Sequence, residues 1–93
     1  MIRSFKDSRT EKVWRRERVP RFGPDLQRQA LRQLTQLDIA GKLSDLRVPP
    51  GNRLEQLSGD RAGQYSIRIN DQFRICFIRT DAGPEDVEIA DYH

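Results

Sequence analysis

At Val48-Pro49-Pro50-Gly51 the pattern of this sequence changes, and the change limits what the chain can fold into. Before it, apolar residues recur at helical spacing. After it, they alternate. Adjacent prolines lack backbone donors and bias the preceding residue toward extended structure, so neither a helix nor a paired strand runs through them. The order is helices first and strands second, which points to an α+β sandwich rather than a repeated parallel unit.

The clearest helix is predicted in "GPDLQRQALRQLTQLDIAG". Pro24 suits a first turn, Leu26, Ala30, Leu31, Leu34 and Leu37 form one stripe, and Gly41 is a plausible C-cap. Arg28 and Arg32 fall on the opposite face. Upstream, "SRTE" has the form of a capping box, with Ser8 as N-cap and Glu11 three residues on. It predicts a short basic helix through "EKVWRRER" that Pro20 ends. The opening "MIRSF" alternates weakly and reads as a first strand.

Beyond the prolines, "LSDLRVPPGNR" reads as a connector with one helical turn, and "RLEQL", "YSIRI", "FRICFIR" and "VEIADYH" read as strands. "NDQ" and "DAGPED" supply turns. Tyr65, Ile67, Ile69, Phe73, Ile75, Phe77, Val87 and Ile89 then face the helices, because strand side chains alternate. The expected architecture is one α+β domain over residues 1–93, with two N-terminal helices packed on a mainly antiparallel sheet of four to five strands. The alternate residues face away. Arg68, Arg74 and Tyr92 are thereby expected on an open sheet surface, with Asp91 and His93 at its end. Guanidinium forks suit phosphate oxygens and an aromatic ring stacks on a base, so this face is a candidate for RNA.

Charge points the same way. The net +3 conceals ten Lys/Arg against four Asp/Glu up to Leu37, and seven against ten afterwards. A basic block of this size is either an electrostatic footprint for nucleic acid or a solvated helix face. A single cysteine excludes an internal disulfide framework and a cysteine-based zinc site, and suits a reducing compartment. No apolar run matches a signal peptide or a membrane span, so a cytoplasmic location with no membrane partner is expected. Walker loops and catalytic-triad spacings are absent, and no cofactor or metal is expected.

The stretch "PPGNRLEQLSGDRAGQYSIRINDQFRICF" followed by "VEIADYH" resembles the HigB toxins of the RelE superfamily, the killer components of type II toxin–antitoxin modules. The likeness runs over nearly the whole chain. It implies a microbial-ribonuclease-like fold and cleavage of messenger RNA in the A site of the 30S ribosomal subunit. It also implies a helix-turn-helix antitoxin of the HigA kind, with operator DNA bound only through the toxin–antitoxin complex. Carried over by position, the family's active-site pattern falls on Arg74, Asp91, Tyr92 and His93. The turn Gly59-Asp60-Arg61 also matches, and its role is read as mainly structural.

The expected mechanism needs no metal. The RNA 2′-OH attacks its own 3′ phosphate, Arg74 holds the phosphate oxygens with Arg68 or Arg61, and Tyr92 meets a nucleotide. His93, the one histidine, serves as general acid or base, with Asp91 orienting it. Arg15, Arg16, Arg28 and Arg32 are expected to meet the ribosome or the antitoxin. The sequence departs from some relatives at Glu55 and Ser58, where those carry basic residues. The alternative is a non-catalytic blocker of the ribosome or RNA.

Overall fold

Asp7, not Ser8, caps the first helix. In the computed structural model, which describes residues 1–92, the Asp7 carboxylate accepts from the Thr10 N–H at 2.8 Å. A carboxylate satisfies the orphan donor and also opposes the positive end of the helix dipole, an advantage a serine hydroxyl lacks. Glu11 is left to pair with Arg15 at 2.9 Å. The helix, α1, spans Ser8–Trp14 and stops well before Pro20. Arg16 adopts a left-handed φ of 64°. Its N–H returns to the Val13 carbonyl and that of Glu17 to the Lys12 carbonyl, at 3.0 and 2.8 Å. This is a Schellman ending built on an arginine instead of a glycine.

The second helix, α2, spans Pro24–Ile39 with Pro24 in its first turn, as its pattern predicts. Ala30, Leu34 and Leu37 are fully buried, while Leu26 and Leu31 pack at the margin of the core. Ala40 is the C-cap, and Gly41 lies just beyond it, where its N–H donates to Asp45. Gly41 therefore supports the exit from the helix without itself capping it.

The connector holds two short 3-10 turns, Leu43–Arg47 and Pro50–Asn52. The buried amide of Asn52 ties them to the helix layer, donating to Gln36 Oε1 and the Leu46 carbonyl, both at 3.1 Å. Four antiparallel strands follow, β1 Glu55–Gln56, β2 Gln64–Arg68, β3 Phe73–Thr80 and β4 Gly83–Asp91, in the spatial order β1-β2-β3-β4. The Asn70 side chain closes the β2–β3 turn by accepting from the N–H groups of Gln72 and Phe73, each at 2.8 Å.

β4 begins earlier than the "DAGPED" turn suggests. Pro84 and Glu85 already belong to it, opposite Arg79 and Ile78. A bulge places an extra β4 residue opposite Phe77, with Asp86 at φ 50°, and resets the strand so that Val87 and Ile89 both point inward.

The opening segment is a strap along β4 rather than a full strand. Phe5 makes one parallel bridge to Val87, and Arg3 N–H donates to the Pro84 carbonyl at 2.8 Å. Gly83 permits this approach, since a Cβ there would collide with the Met1 carbonyl. Farther along the same edge, the buried Thr10 hydroxyl accepts from the Ile89 N–H at 2.9 Å, supplying the partner that a fifth strand would have given.

The core lies between the helices and one sheet face. Val13, Phe22, Leu34 and Leu37 meet Ile67, Ile75, Phe77, Val87 and Ile89. Phe22 sits edge-on to Phe73 with ring centroids 5.8 Å apart. Burying each large aliphatic side chain contributes roughly 1.5–3 kcal/mol. The helices thus cover one face, and the site residues emerge on the other.

Candidate active site

Arg74 stands at the centre of the uncovered face, opposite Arg68 on β2 and Ala90 on β4. Three groups hold its guanidinium. Nε donates to Ser66 Oγ at 2.7 Å, Nη2 donates to the Arg53 carbonyl at 2.6 Å, and Glu55 Oε1 lies 3.7 Å from Nη2. The Arg53 carbonyl is aimed by the preceding turn, in which Asn52 is anchored and Arg53 takes a φ of 45°. Only 11% of the Arg74 side chain is exposed. Its orientation is fixed from below, and its outer edge reaches solvent.

The face is less open than the alternation predicts. Ser66 and Cys76 are fully buried and Ala90 nearly so. The Pro50–Asn52 turn and Arg53 cover the β1 side, Arg61 crosses from the Gly59–Arg61 turn, and Tyr92 folds back over Cys76. These groups wall in part of the face around Arg74.

Arg61 belongs to the wall. Its Nη1 donates to Glu88 Oε1 at 3.0 Å and to Gln64 Oε1 at 3.1 Å. The hydrogen bond to Glu88 raises its already high pKa, against a lowering by burial. Tyr92 is 42% exposed, and its hydroxyl lies 4.0 Å from Cys76 Sγ. Burial pushes the Tyr92 phenol up, with Cys76 adding to the effect. Burial likewise pushes the Cys76 thiol up, while Arg61 opposes it. Both groups are therefore neutral at physiological pH, and Tyr92 keeps a proton to donate.

The structure brings Arg74, Arg61 and Tyr92 together around Cys76. Arg68 lies on the same face, but its guanidinium is engaged by Asp71 and its carbonyl by Gln33. Asp91 is at the exposed end of β4, where its Oδ2 accepts from Gln72 Nε2 at 3.1 Å. His93 lies outside the described residues. Arg15, at the C-cap of α1, and Arg28, on α2, are held by Glu11 and Asp25, each at 2.9 Å, whereas Arg16 and Arg32 make no ion pair among the described residues. Ser66 and the Arg53 carbonyl were not apparent as site groups in the sequence. A serine on the polar side of a strand signals little, and a backbone carbonyl carries no side-chain signal. Among the described residues no cluster of three or more His, Cys, Asp or Glu is disposed to hold a metal ion.

This layout can grip an anion between a fixed guanidinium and a neutral phenol. Comparison with known proteins gives it a context. Residues 3–93 match the family described as RelE-like toxin of type II toxin-antitoxin system HigB. The chain belongs to the HigB family of RelE-like toxins. Toxin HigB-1 of Vibrio cholerae serotype O1 (strain ATCC 39315 / El Tor Inaba N16961) is 44% identical over 78 residues, covering 83% of this chain and 82% of that protein. Among solved structures, the YoeB-YefM complex from Staphylococcus aureus matches with a TM-score of 0.63 at 15% identity, over 100% of this chain and 98% of that one. That likeness establishes the fold: two helices on a four-stranded antiparallel sheet is the architecture of a RelE-type toxin. No helix among the described residues is long and apolar enough to cross a membrane.

Proposed function

We propose that this HigB-family toxin is an endoribonuclease that cuts messenger RNA in the ribosomal A site, in the cytoplasm, and is neutralised by a helix-turn-helix antitoxin. The observation that carries the reading is the clamp on Arg74, a guanidinium fixed by Ser66 and Arg53 beside the Tyr92 phenol. A preorganised cation at the position where charge develops is worth most in a site that excludes water.

The reaction uses the nucleophile that RNA carries. The 2′-hydroxyl gives its proton to a base as its oxygen attacks the adjacent phosphorus, the bond to the 5′-oxygen breaks, and the leaving oxygen takes a proton from an acid. Arg74 neutralises the phosphate oxygens. Arg61 contributes at second hand, by offsetting the Glu88 carboxylate that would repel them. Tyr92 stacks on a nucleotide or donates its phenolic proton to one. His93 is the proposed general acid or base, with Asp91 orienting it, and the chemistry calls for no metal.

Mapping 5′ ends of ribosome-bound messenger after induction tests the reading. Discrete new ends within codons are expected, bearing 5′-hydroxyls opposite 2′,3′-cyclic phosphates, and persisting under chelation once ribosome integrity is controlled. A 5′-phosphate would exclude attack by the 2′-OH. Stalled ribosomes without new ends would establish the non-catalytic blocker instead.

A further inference from the structure

The turn that aims the Arg53 carbonyl at Arg74 is fastened to the opposite layer of the fold, and Asn52 does the fastening. Its side chain is buried, with 1% of the residue exposed. The amide nitrogen donates to Gln36 Oε1 on α2 and to the Leu46 carbonyl, both at 3.1 Å, with the Val48 carbonyl farther off at 3.5 Å. The Asn52 N–H closes on the Pro49 carbonyl at 3.0 Å, and the Arg53 N–H on the Pro50 carbonyl at 3.1 Å. Arg53 then takes its left-handed φ of 45°, a conformation that persists in a non-glycine residue only where the surroundings impose it. Its carbonyl accepts from Arg74 Nη2 at 2.6 Å. A run of hydrogen bonds thus passes from α2, around the β1 edge of the sheet, to the guanidinium on the uncovered face.

We propose that Asn52 is a positioning residue for the cleavage reaction, and that Gln36 acts with it. Together they set the direction of the Arg53 carbonyl and, through it, of Arg74. The chemistry of the side chain carries the inference. Its nitrogen faces oxygen acceptors, and a primary amide has two hydrogens to meet them. Leucine would fill a similar space and hold nothing, whereas aspartate would set a carboxylate against those oxygens. A buried place that needed only packing would be met at less cost by an apolar residue. What the amide adds is a fixed turn, and the Arg53 carbonyl depends on that turn. The aim of Arg74 matters because a misplacement of about 1 Å can cost a reaction about 10²-fold. The inference rests on the reading of Arg74 as the group that holds the phosphate.

Asn52→Ala and Gln36→Leu cut the run at two points. Val13→Ala removes buried volume from α1, on the covered face, and serves as the control for lost stability alone. Two readouts are taken at a temperature where circular dichroism shows each chain folded. NMR spectra of the arginine side-chain nitrogens in the free toxin follow the Arg74 guanidinium, its signals identified by their absence in Arg74→Lys. Single-turnover cleavage on programmed ribosomes gives the maximal rate and the ribosome concentration at half-saturation. In Asn52→Ala the Arg74 signals should shift and broaden, and the maximal rate should fall about tenfold or more with half-saturation unchanged. Gln36→Leu should show the same changes to a smaller extent, and Val13→Ala neither. In an Arg74→Lys background the effect of Asn52→Ala should shrink, since no guanidinium is left to aim. Unmoved Arg74 signals in Asn52→Ala would overturn the proposal, as would an unchanged maximal rate. Equal changes in Val13→Ala, or full additivity in the Arg74→Lys background, would reduce Asn52 to a stability residue and overturn it too. If Asn52→Ala does not fold, Gln36→Leu is read by the same criteria. If the unaltered chain does not cleave, the nuclease reading falls, and the Arg74 spectra still decide whether Asn52 sets the guanidinium.

Discussion

Ser66 Oγ accepts from Arg74 Nε at 2.7 Å, across the β2–β3 ladder and two residues out of direct register. The serine is buried and the arginine almost so, which makes the bond costly to lose. A buried donor left without an acceptor costs about 1–3 kcal/mol. In Ser66→Ala, Arg74 would either bear that cost in place or turn toward solvent and leave its position. Cleavage should fall about tenfold by the first route, and more by the second. Arg74→Lys should fall about 10²-fold, because an ammonium cannot bond Ser66 and Arg53 while keeping a fork for phosphate. Single-turnover cleavage on programmed ribosomes is the measurement. Equal rates for Ser66→Ala and the parent chain would mean that the clamp does not position the guanidinium.

Glu55 makes an opposite prediction. Its carboxylate is 55% exposed and 3.7 Å from Arg74, so the pair adds little to stability. It does place a negative charge where a phosphate is proposed to bind. Glu55→Gln should raise cleavage severalfold at low ionic strength, with the gain shrinking as salt screens the repulsion. The denaturation midpoint should hardly move. A rate that ignores Glu55→Gln at every salt concentration would argue against phosphate binding at Arg74.

Folding stability should decline on the alkaline side. Cys76 and Tyr92 both hold their protons more tightly in the folded chain, chiefly because burial disfavours their charged forms. Their contribution is complete below the ordinary values, about 8.5 for a thiol and 10 for a phenol, and is lost as pH rises through the raised folded values. Urea midpoints measured from pH 7 to 11 should therefore fall above about pH 8.5. Cys76→Ala should flatten the early part of the fall and Tyr92→Phe the later part. An unchanged slope in both variants would locate the titrating groups elsewhere.

The sequence made α2 and the β2–β3 pair legible because each satisfies several rules at once. Leu34 and Leu37 agree in spacing with Pro24 at the start, and Ile67 and Ile75 agree in alternation with the Asn70 turn. The end of α1 was not legible. Nothing marks Arg16 as left-handed, and Pro20 draws attention to a boundary that the chain reaches earlier. Ser8 fits the capping-box pattern, yet Asp7 is the cap, a preference set by charge that the pattern does not carry. The candidate site divides in the same way. Arg74, Tyr92 and Asp91 follow from alternation and family motif. The cover over Ser66 and Cys76 depends on where the Pro50–Asn52 and Gly59–Arg61 turns fold back, which periodicity does not encode.

The end of β4 frames the last prediction. The Tyr92 N–H still donates to the Gln72 carbonyl at 2.7 Å, so backbone pairing continues up to the residue before His93. His93→Ala removes one imidazole from the chain and no other side chain. Antitoxin affinity and the denaturation midpoint should be retained. If His93 transfers a proton to or from the RNA, cleavage should fall by roughly 10²–10⁴-fold, the usual worth of a positioned acid or base. Asp91→Asn should cost less, because an orienting carboxylate acts through its partner. The two effects should also fail to add in the double variant, since removing the acid leaves nothing to orient. Growth arrest and cleavage at matched protein levels give the readout. Full toxicity in His93→Ala would move the proton transfer to Tyr92, whose raised pKa keeps its phenol protonated at neutral pH, and Tyr92→Phe would then be the inactive variant.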